Sequence, residues 1–333
     1  MRLETQALIE EYREGVLECV HEGMACVVGP EGVRKAIGDP NWRCFYRSCS
    51  KPIQALPIIQ LELDRKYSLT EEEAAIFSAS HWGDPYHVGL LERVMEKTGL
   101  REEQMIMLPT YPNRPEAAEA LMLAGKPRRK IYHNCSGKHL GMMLLQRELG
   151  GKTEDYWRRD SLAQHEILRA IEGMTDVPAG EIAVGVDGCG VPVYAVPFHA
   201  IATSFLRLQC PELIADDALA EAARRNAAMI HRYPNTIAGE NVVCSILASD
   251  PDLLGKSGAK GVYVLASRSR QVGVVAKIMD GSNDEFGSIA LYICRQLGCS
   301  DRVMEELEKA YPDVVINDNR EVVGQKHCAF SLD

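Results

Sequence analysis

The stretch "GVYVLASRSRQVGVVAKIMD", residues 261–280, decides the fold class of this 333-residue chain. Two runs of β-branched and other apolar residues flank a polar segment near 267–271, which is typical of two antiparallel strands joined by a turn. A similar pattern lies near the N-terminus, where "GVLECVHEGMACVVG" (15–29) predicts a hairpin broken at Gly23. We therefore expect strand pairs at both ends of the chain.

Helical patterns fill most of the sequence between these strand pairs. Thr70 is followed by three acidic residues, as at a capped helix start, and Gly99 and Gly150 close two further helical patterns. Residues 213–230 and 285–298 predict two more helices, while "EIAVGVD" (181–187) predicts a buried strand. This order favours an α/β protein of the α+β type, with a mixed or antiparallel sheet built from both termini and flanked by helices.

The same order predicts one catalytic domain over residues 1–333. Within it we expect a sheet region made of 10–50 and 255–330, and a mainly helical region over 65–250. A dinucleotide-binding fold is disfavoured, because the GxG-like string "GVDGCGVP" is not followed by a convincing helix.

Composition narrows the partners and the cellular location. A net charge of −10 and a pI near 5.5 argue against nucleic acid or an anionic membrane surface as a partner. No apolar stretch reaches the roughly 18 residues of a membrane span, and the acidic N-terminus lacks the features of a signal peptide. The 11 cysteines are scattered rather than arranged as a disulfide framework. Together these features predict a cytoplasmic protein with reduced thiols and a small-molecule substrate.

Ser48 and Lys51, in "YRSCSKPIQALP" (46–57), are the first candidates for chemistry. A neutral lysine amine can take the proton of a serine hydroxyl, and Ser48 would lie near a helix N-terminus whose free N–H groups can stabilise an oxyanion. Taken alone, a capping serine and a surface lysine explain the pair better, since Pro52 disfavours helical geometry at Lys51.

Two further elements follow in chain order, Ser80 in "FSAS" and Lys256 in "GKSG" (255–258), just before the strand at 261. Enzymes that acylate a serine use this order of Ser-x-x-Lys, a second serine element and Lys-Ser/Thr-Gly. Serine acyl chemistry and a chance arrangement both remain open on these elements alone.

Cys135 in "HNCSGKH" (133–139) and Cys189 in "DGCGVP" (187–192) each lie in a glycine-containing turn. A metal site of two thiolates completed by His133 or His139 is one interpretation, although the usual paired spacing of structural zinc ligands does not occur. Two buried free thiols are the other interpretation. Composition does not decide between them.

Taken together, these motifs resemble those of the rhizobial-type, or class 3, L-asparaginase family. "YRSCSKPIQALP", "HNCSGKH", "DGCGVPVYAVP" and "GKSGAKGVY" occur in that family's order, and the resemblance runs from about residue 10 to residue 330. It implies a fold similar to those of serine β-lactamases, penicillin-binding proteins and bacterial glutaminases. It also implies hydrolysis of L-asparagine to L-aspartate and ammonia by a homodimer.

Carried over by position, the resemblance makes Ser48 the nucleophile and Lys51 its base, with Ser80 and Lys256 as a second Ser–Lys pair. It implies substrate binding by Arg47, His139 and Asp187, and zinc ligation by Cys135, Lys138 and Cys189. A lysine ligand must be neutral to coordinate a metal, so the residues alone would not have favoured Lys138 over His139. Cys49 departs from the usual small residue inside the Ser-x-x-Lys motif, where we expect it to fit.

Two alternative functions remain at this stage. A glutaminase or another serine amidohydrolase would use the same residues, because glutamine is only one methylene longer than asparagine. A zinc or amino-acid sensor without catalysis would keep the scaffold but would have no need for all four Ser and Lys residues.

Overall fold

The computed structural model describes residues 4–332. Strands in this range are β1 (Gln6–Arg13), β2 (Val16–Gly29), β3 (Gly32–Ile37), β4 (Arg43–Phe45), β5 (Ala183–Val186), β6 (Pro192–Pro197), β7 (Leu253–Gly258), β8 (Val262–Ser267), β9 (Val272–Ile278), β10 (Val314–Ile316) and β11 (Val322–Cys328). Helices in this range are α1 (Lys51–Gln54), α2 (Leu56–Gln60), α3 (Leu63–Lys66), α4 (Glu71–Ala75), α5 (Pro85–Thr98), α6 (Pro115–Leu123), α7 (Ser136–Glu148), α8 (Leu162–Thr175), α9 (Phe198–Gln209), α10 (Asp217–Arg232), α11 (Val243–Ala248), α12 (Phe286–Leu297) and α13 (Asp301–Ala310). The predicted α+β class with an antiparallel sheet and flanking helices is confirmed.

The chain divides into two compact units. The sheet unit holds the residues up to Cys49, Val196–Gln209 and the residues from Asn241 onward. The helical unit holds Ser50–Ala195 and Cys210–Glu240.

The sheet unit is built from strands of both chain ends. The strand order is β10-β11-β1-β2-β9-β8-β7, with β3 paired to β2, and each described pair is antiparallel. Helix α9 packs on β2, β8 and β9, and α11 packs on β7. Strands β8 and β9 are buried along their whole length, which agrees with their nearly continuous apolar sequence.

The helical unit is centred on α7, which packs against α2, α5 and α8. Helix α10 covers α2 and α4 on another side. The predicted ends of these helices follow local capping signals: Thr70 caps α4, and Gly99 ends α5 with a φ of 68°. The predictions of α4, α5, α7, α10, α12 and the β8–β9 hairpin are confirmed.

The predicted hairpin with a break at Gly23 is wrong, because β2 runs unbroken through this residue. Gly23 instead permits a close approach: a Cβ there would lie 2.3 Å from the Lys277 carbonyl oxygen and 2.5 Å from Leu8 Cδ1. A glycine inside a strand pattern often marks such an approach rather than a turn. The turn is at Glu14 and Gly15, whose φ values of 49° and 79° suit a tight hairpin between β1 and β2.

The prediction of a buried strand at 181–187 is correct in position but wrong in burial. Strand β5 pairs with β6, yet Ala183 is exposed and Val186 is 78% exposed. The apolar run alone could not reveal this, since burial depends on what covers the strand. The position of "GKSG" also differs from the prediction. We expected it just before a strand, but it is itself part of β7, where Lys256 pairs with Val264.

Glu73 ties the start of α4 to α5, and its loss is expected to destabilise the helical unit. Its buried carboxylate accepts hydrogen bonds from the Thr70 N–H at 2.9 Å, from Lys97 at 2.6 Å and from Arg93 at 3.1 Å. Burial by itself would raise the pKa of Glu73, but the hydrogen bonds from Lys97, Thr70 and Arg93 outweigh burial and lower it. We expect Glu73→Gln to reduce the free energy of unfolding by about 1–2 kcal/mol at pH 7, as measured by urea titration.

Because this pKa is lower in the folded than in the unfolded chain, the charged form stabilises the fold. That contribution is complete above the unfolded value of about 4.3 and disappears as the pH falls through the folded value. The difference between Glu73→Gln and wild type should therefore shrink in acid. Glu71→Gln is the matched control, since its pair with Arg232 is exposed and should contribute less than about 0.5 kcal/mol. Equal losses in both variants would contradict the assignment.

Candidate active site

The segment that carries Ser48 is helical without interruption. A single 3₁₀ turn, Arg47–Ser50, leads directly into α1, which begins at Lys51 with Pro52 in its first turn. The proline ring is tolerated there, so it does not prevent a helical Lys51. Arg47 enters the segment with a φ of 50°, a left-handed conformation that is uncommon outside glycine and concentrates at functional sites.

Lys51 and Ser80 form a close pair inside the helical unit. Lys51 is completely buried, and its Nζ donates to Ser80 Oγ at 2.9 Å and to the Asn134 carbonyl at 3.0 Å. This contact joins two of the three serine and lysine elements recognised in the sequence. It also directs the Lys51 amine toward the turn that precedes Cys135.

Asn226 of α10 links the two chain segments that carry this pair. Its Nδ2 donates to the Pro52 carbonyl at 2.8 Å, and its Oδ1 accepts from Ser78 Oγ at 3.1 Å. The Ser80 N–H in turn donates to the Ile237 carbonyl at 2.8 Å. Sequence reasoning missed Asn226; its only local signal is an amide on the apolar face of an alanine-rich helix.

In the sheet unit, Lys256 lies on β7 beside the segment that ends at Cys49. Lys256 is completely buried, and its Nζ donates to the Ser257 carbonyl at 3.0 Å. Cys49 Sγ donates to the Lys256 carbonyl at 3.1 Å, and burial raises the pKa of this thiol. The expectation that Cys49 fits sterically agrees with this contact.

Gly258 allows β7 to pack closely against the segment that ends at Cys49. A Cβ at this position would lie 2.8 Å from the Tyr46 carbonyl oxygen and 3.0 Å from Cys49 Sγ. The glycine of the "GKSG" motif is therefore required by close packing against the chain next to Ser48.

Cys135, Lys138, Cys189 and Asp187 form a buried cluster in the helical unit. Lys138 Nζ donates to Cys189 Sγ at 3.1 Å and lies 3.7 Å from Asp187 Oδ2. Cys189 Sγ lies 3.8 Å from the same carboxylate oxygen. The chain reaches this geometry because Asp187 closes a tight turn, accepting from the Gly190 N–H at 2.9 Å through its carbonyl.

The close contacts in this cluster shift the pKa values of its ionisable groups. The hydrogen bond from Cys189 is the main cause that lowers the pKa of Cys135 well below its usual range, against the effect of burial. Burial would lower the pKa of Lys138, but Cys189, Cys135 and Asp187 outweigh it and raise that pKa. Without a metal these shifts favour the charged forms of Lys138 and Cys135.

The donor set fits a zinc ion. Two sulfurs and one nitrogen converge, which are the ligand types zinc prefers, and a nearby carboxylate can balance charge or orient a ligand. Metal binding would require Lys138 to lose its proton. One ring nitrogen of each alternative ligand is already engaged, since His133 Nδ1 accepts from the Cys135 N–H at 3.1 Å and His139 Nδ1 lies 2.6 Å from the Tyr156 hydroxyl.

Gly137 and His81 position this cluster against the Ser80 segment. A Cβ on Gly137 would lie 2.2 Å from the Ile76 carbonyl oxygen, so only glycine allows α7 to begin this close to the turn before Ser80. His81 Nδ1 accepts from the Gly83 N–H at 3.1 Å, and its Nε2 therefore donates to Ser136 Oγ at 2.7 Å. Burial, with His87 and Lys51 nearby, lowers the pKa of His81 well below its usual range, so the ring is neutral. Sequence reasoning missed His81 and Ser136, although His81 directly follows "FSAS" and Ser136 lies inside "HNCSGKH".

The predicted substrate-binding residues do not all lie in one unit. Asp187 and His139 belong to the helical unit, at the cluster described above, and Arg47 belongs to the sheet unit. His139 is completely buried on α7, and burial lowers its pKa well below the usual range. Their role in binding stays a prediction.

Comparison with known proteins agrees with the motifs. The L-asparaginase II family matches residues 9–328, nearly the whole chain, which defines an amidohydrolase of the asparaginase type. The chain belongs to the L-asparaginase II family, the rhizobial-type family that its motifs resemble, so this prediction is confirmed. No curated protein matches the sequence.

Solved structures with a similar arrangement are β-lactamases and glutaminases. A β-lactamase from Mycobacterium bovis is 14% identical over 82% of this chain and 94% of that chain, with a TM-score of 0.39. A Bacillus subtilis glutaminase in covalent complex with 5-oxo-L-norleucine is 13% identical over 84% and 89% of the two chains, with a TM-score of 0.37.

Within residues 4–332, no helix combines the length and the apolar character that a membrane span needs.

Proposed function

We propose that this protein hydrolyses L-asparagine to L-aspartate and ammonia through an acyl-enzyme on Ser48. The observation that carries the proposal is the buried Lys51 amine, 2.9 Å from Ser80 Oγ and three residues after Ser48 in one helical segment. Residues three apart in a helical segment share one face, so a base at Lys51 suits a nucleophile at Ser48. Membership of the asparaginase family supports the choice of an amide substrate.

In the proposed reaction, neutral Lys51 takes the proton of Ser48 while Ser48 Oγ attacks the side-chain amide carbon of asparagine. The C–N bond then breaks, and the leaving nitrogen receives the proton and departs as ammonia. Water adds to the resulting ester by the reverse proton path and releases aspartate and Ser48. Backbone donors near Ser48 stabilise the oxyanion in both steps.

The remaining predicted residues take supporting roles in this proposal. Ser80 and Lys256 relay protons or hold the substrate, and Arg47, His139 and Asp187 bind its charged groups. Arg47 is suited to a carboxylate, because the guanidinium can donate two parallel hydrogen bonds to it. We also propose, from composition and the family resemblance, that the enzyme is a cytoplasmic homodimer.

Zinc is part of the proposal as a resident ion of the cluster. Cys135, Lys138 and Cys189 would hold it, and when bound it would supply a positive charge that can orient a polar substrate group. The chemical steps above use only side chains of the protein. Elemental analysis of the purified protein is expected to find zinc near one equivalent per chain, and Cys189→Ser should lose it. Full zinc content in Cys189→Ser would contradict this ligand set.

Glutaminase activity is the alternative within the same chemistry. The extra methylene of glutamine is worth about 1–3 kcal/mol of discrimination, so some turnover of glutamine is compatible with the proposed site.

The test is the release of ammonia from L-asparagine and L-glutamine at pH 8, repeated with added hydroxylamine. Hydroxylamine competes with water for the ester of an acyl-enzyme and converts it to a hydroxamate. We therefore expect turnover of asparagine to yield β-aspartyl hydroxamate as well as ammonia. Ammonia without hydroxamate would contradict the covalent mechanism, and a clear preference for glutamine would assign the alternative. Asparagine binding without any turnover would leave a sensor and overturn the proposal.

A further inference from the structure

A chain of hydrogen bonds leads from the backbone to His139. The Ile106 N–H donates to the Tyr156 hydroxyl oxygen at 2.8 Å, and that hydroxyl lies 2.6 Å from His139 Nδ1. Tyr156 and His139 are both completely buried. Neither Tyr156 nor Ile106 has a role in the function proposed above.

This chain determines which ring nitrogen of His139 carries the proton. The Tyr156 oxygen already accepts the Ile106 N–H, so its own hydrogen is free to be donated. If His139 Nδ1 were protonated, the Tyr156 oxygen would face two donors, Nδ1–H and the Ile106 N–H. The hydroxyl hydrogen of Tyr156 would then be buried without an acceptor. Buried polar groups in native proteins are nearly always paired, so Tyr156 donates to Nδ1. The hydrogen of His139 is therefore on Nε2.

His139 Nε2 is a buried donor for which the described residues supply no hydrogen-bond partner. A buried donor without an acceptor destabilises the protein until a ligand supplies one. His139 directly follows Lys138, and its N–H donates to the Cys135 carbonyl at 3.0 Å. An oxygen of a bound ligand can act as the acceptor that this hydrogen lacks.

We propose that His139 donates its Nε2 hydrogen to an oxygen of the bound amino-acid substrate, and that Tyr156 is the positioning residue that maintains this tautomer. The inference rests on the proposed function for the identity of the substrate, but the tautomer itself does not depend on turnover. Tyr156 thus acts on substrate affinity through another residue rather than by touching the substrate.

The first test is nitrogen NMR of the full-length protein labelled with ¹⁵N-histidine, with the His139 signals assigned by comparison with His139→Gln. We expect the pattern of a neutral ring protonated at Nε2, and a mixture of tautomers in Tyr156→Phe. Addition of L-aspartate should shift the His139 Nε2 signal in the wild type. A ring protonated at Nδ1, or an Nε2 signal that saturating aspartate leaves unmoved, overturns the proposal.

The second test separates positioning from general stability. Tyr156→Phe should raise KM for asparagine about tenfold, the worth of one hydrogen bond, with a smaller change in kcat. The matched control is Tyr194→Phe, which removes another buried hydroxyl that donates to Gln164 Oε1 at 2.7 Å in the same unit. Equal KM changes in both variants would show a merely structural role and reject the proposal.

Substitutions at position 139 complete the test. A glutamine amide nitrogen can replace Nε2 as a donor, whereas an asparagine nitrogen lies nearer the place of Nδ1. We expect His139→Gln to keep more affinity than His139→Asn, and Tyr156→Phe to add little to His139→Gln. The reverse order of affinities contradicts the proposal. Absence of wild-type ammonia release would reject the proposed function instead, while the tautomer would still be read from the NMR signals.

Discussion

Replacing Ser48 with alanine is expected to reduce ammonia release from L-asparagine by about 10³-fold or more. The substitution removes the oxygen that forms the acyl-enzyme, and a covalent mechanism has no substitute for its nucleophile. Ser48 is only half-buried in its 3₁₀ turn, so the smaller side chain should not create a cavity. The measurement is steady-state ammonia release at pH 8, with hydroxamate formation lost in parallel.

Ser50→Ala is the matched control, because this serine is two residues away in the same turn and has no role in the proposed reaction. It should keep most of the activity and the same response to hydroxylamine. Activity that survives in Ser48→Ala would move the nucleophile to another group, and Ser80→Ala would then distinguish the second serine from an activated water.

Lys51→Met is expected to lower kcat by about 10²–10⁴-fold, the usual contribution of a positioned base. Methionine keeps much of the length and apolar volume of the lysine stem but cannot accept a proton. Because Lys51 must be neutral to act, wild-type activity should rise from pH 6 toward mildly alkaline pH, and this rise should be absent in Lys51→Met. The measurement is kcat across pH 6–9 for both proteins.

Lys277→Met provides the control for replacing a buried lysine. Lys277 is 9% exposed, donates to the Lys260 and Ile278 carbonyls, and lies on β9 away from the serine motifs in sequence. It should keep the pH profile even where stability falls. A flat wild-type profile between pH 6 and 9, or equal losses of activity in both methionine variants, would rule out Lys51 as the base.

Local signals predicted most elements correctly because neighbours in the chain produce them. The Thr70–Glu73 capping box and the left-handed Gly99 are properties of a few consecutive residues, and the alternation of apolar runs with a polar turn defines β8 and β9. The same local reasoning failed at Gly23. That glycine is needed by the carbonyl of Lys277, 254 positions later in the sequence, rather than by a turn.

Some residues of the candidate site could likewise be identified from the sequence, and others could not. The order of the motifs was enough to identify the candidate serines and lysines, namely Ser48, Lys51, Ser80 and Lys256. Residue type was enough to identify the cysteines as potential metal ligands. Asn226 and Tyr156 belong to no motif that could be recognised in the sequence. Asn226 lies 174 positions from Pro52 and Tyr156 lies 17 from His139, and their importance follows from the atoms they contact.

The sequence by itself determined the fold class, the family and the chemical groups available for the reaction, since all three depend on residue type and order. Only the tertiary structure decided which groups meet: Lys51 with Ser80, Lys138 with Cys189, and Tyr156 with His139. These pairings depend on how closely backbones approach. The approach is set by packing, as where α7 meets the Ile76 carbonyl across Gly137 with no room for a Cβ.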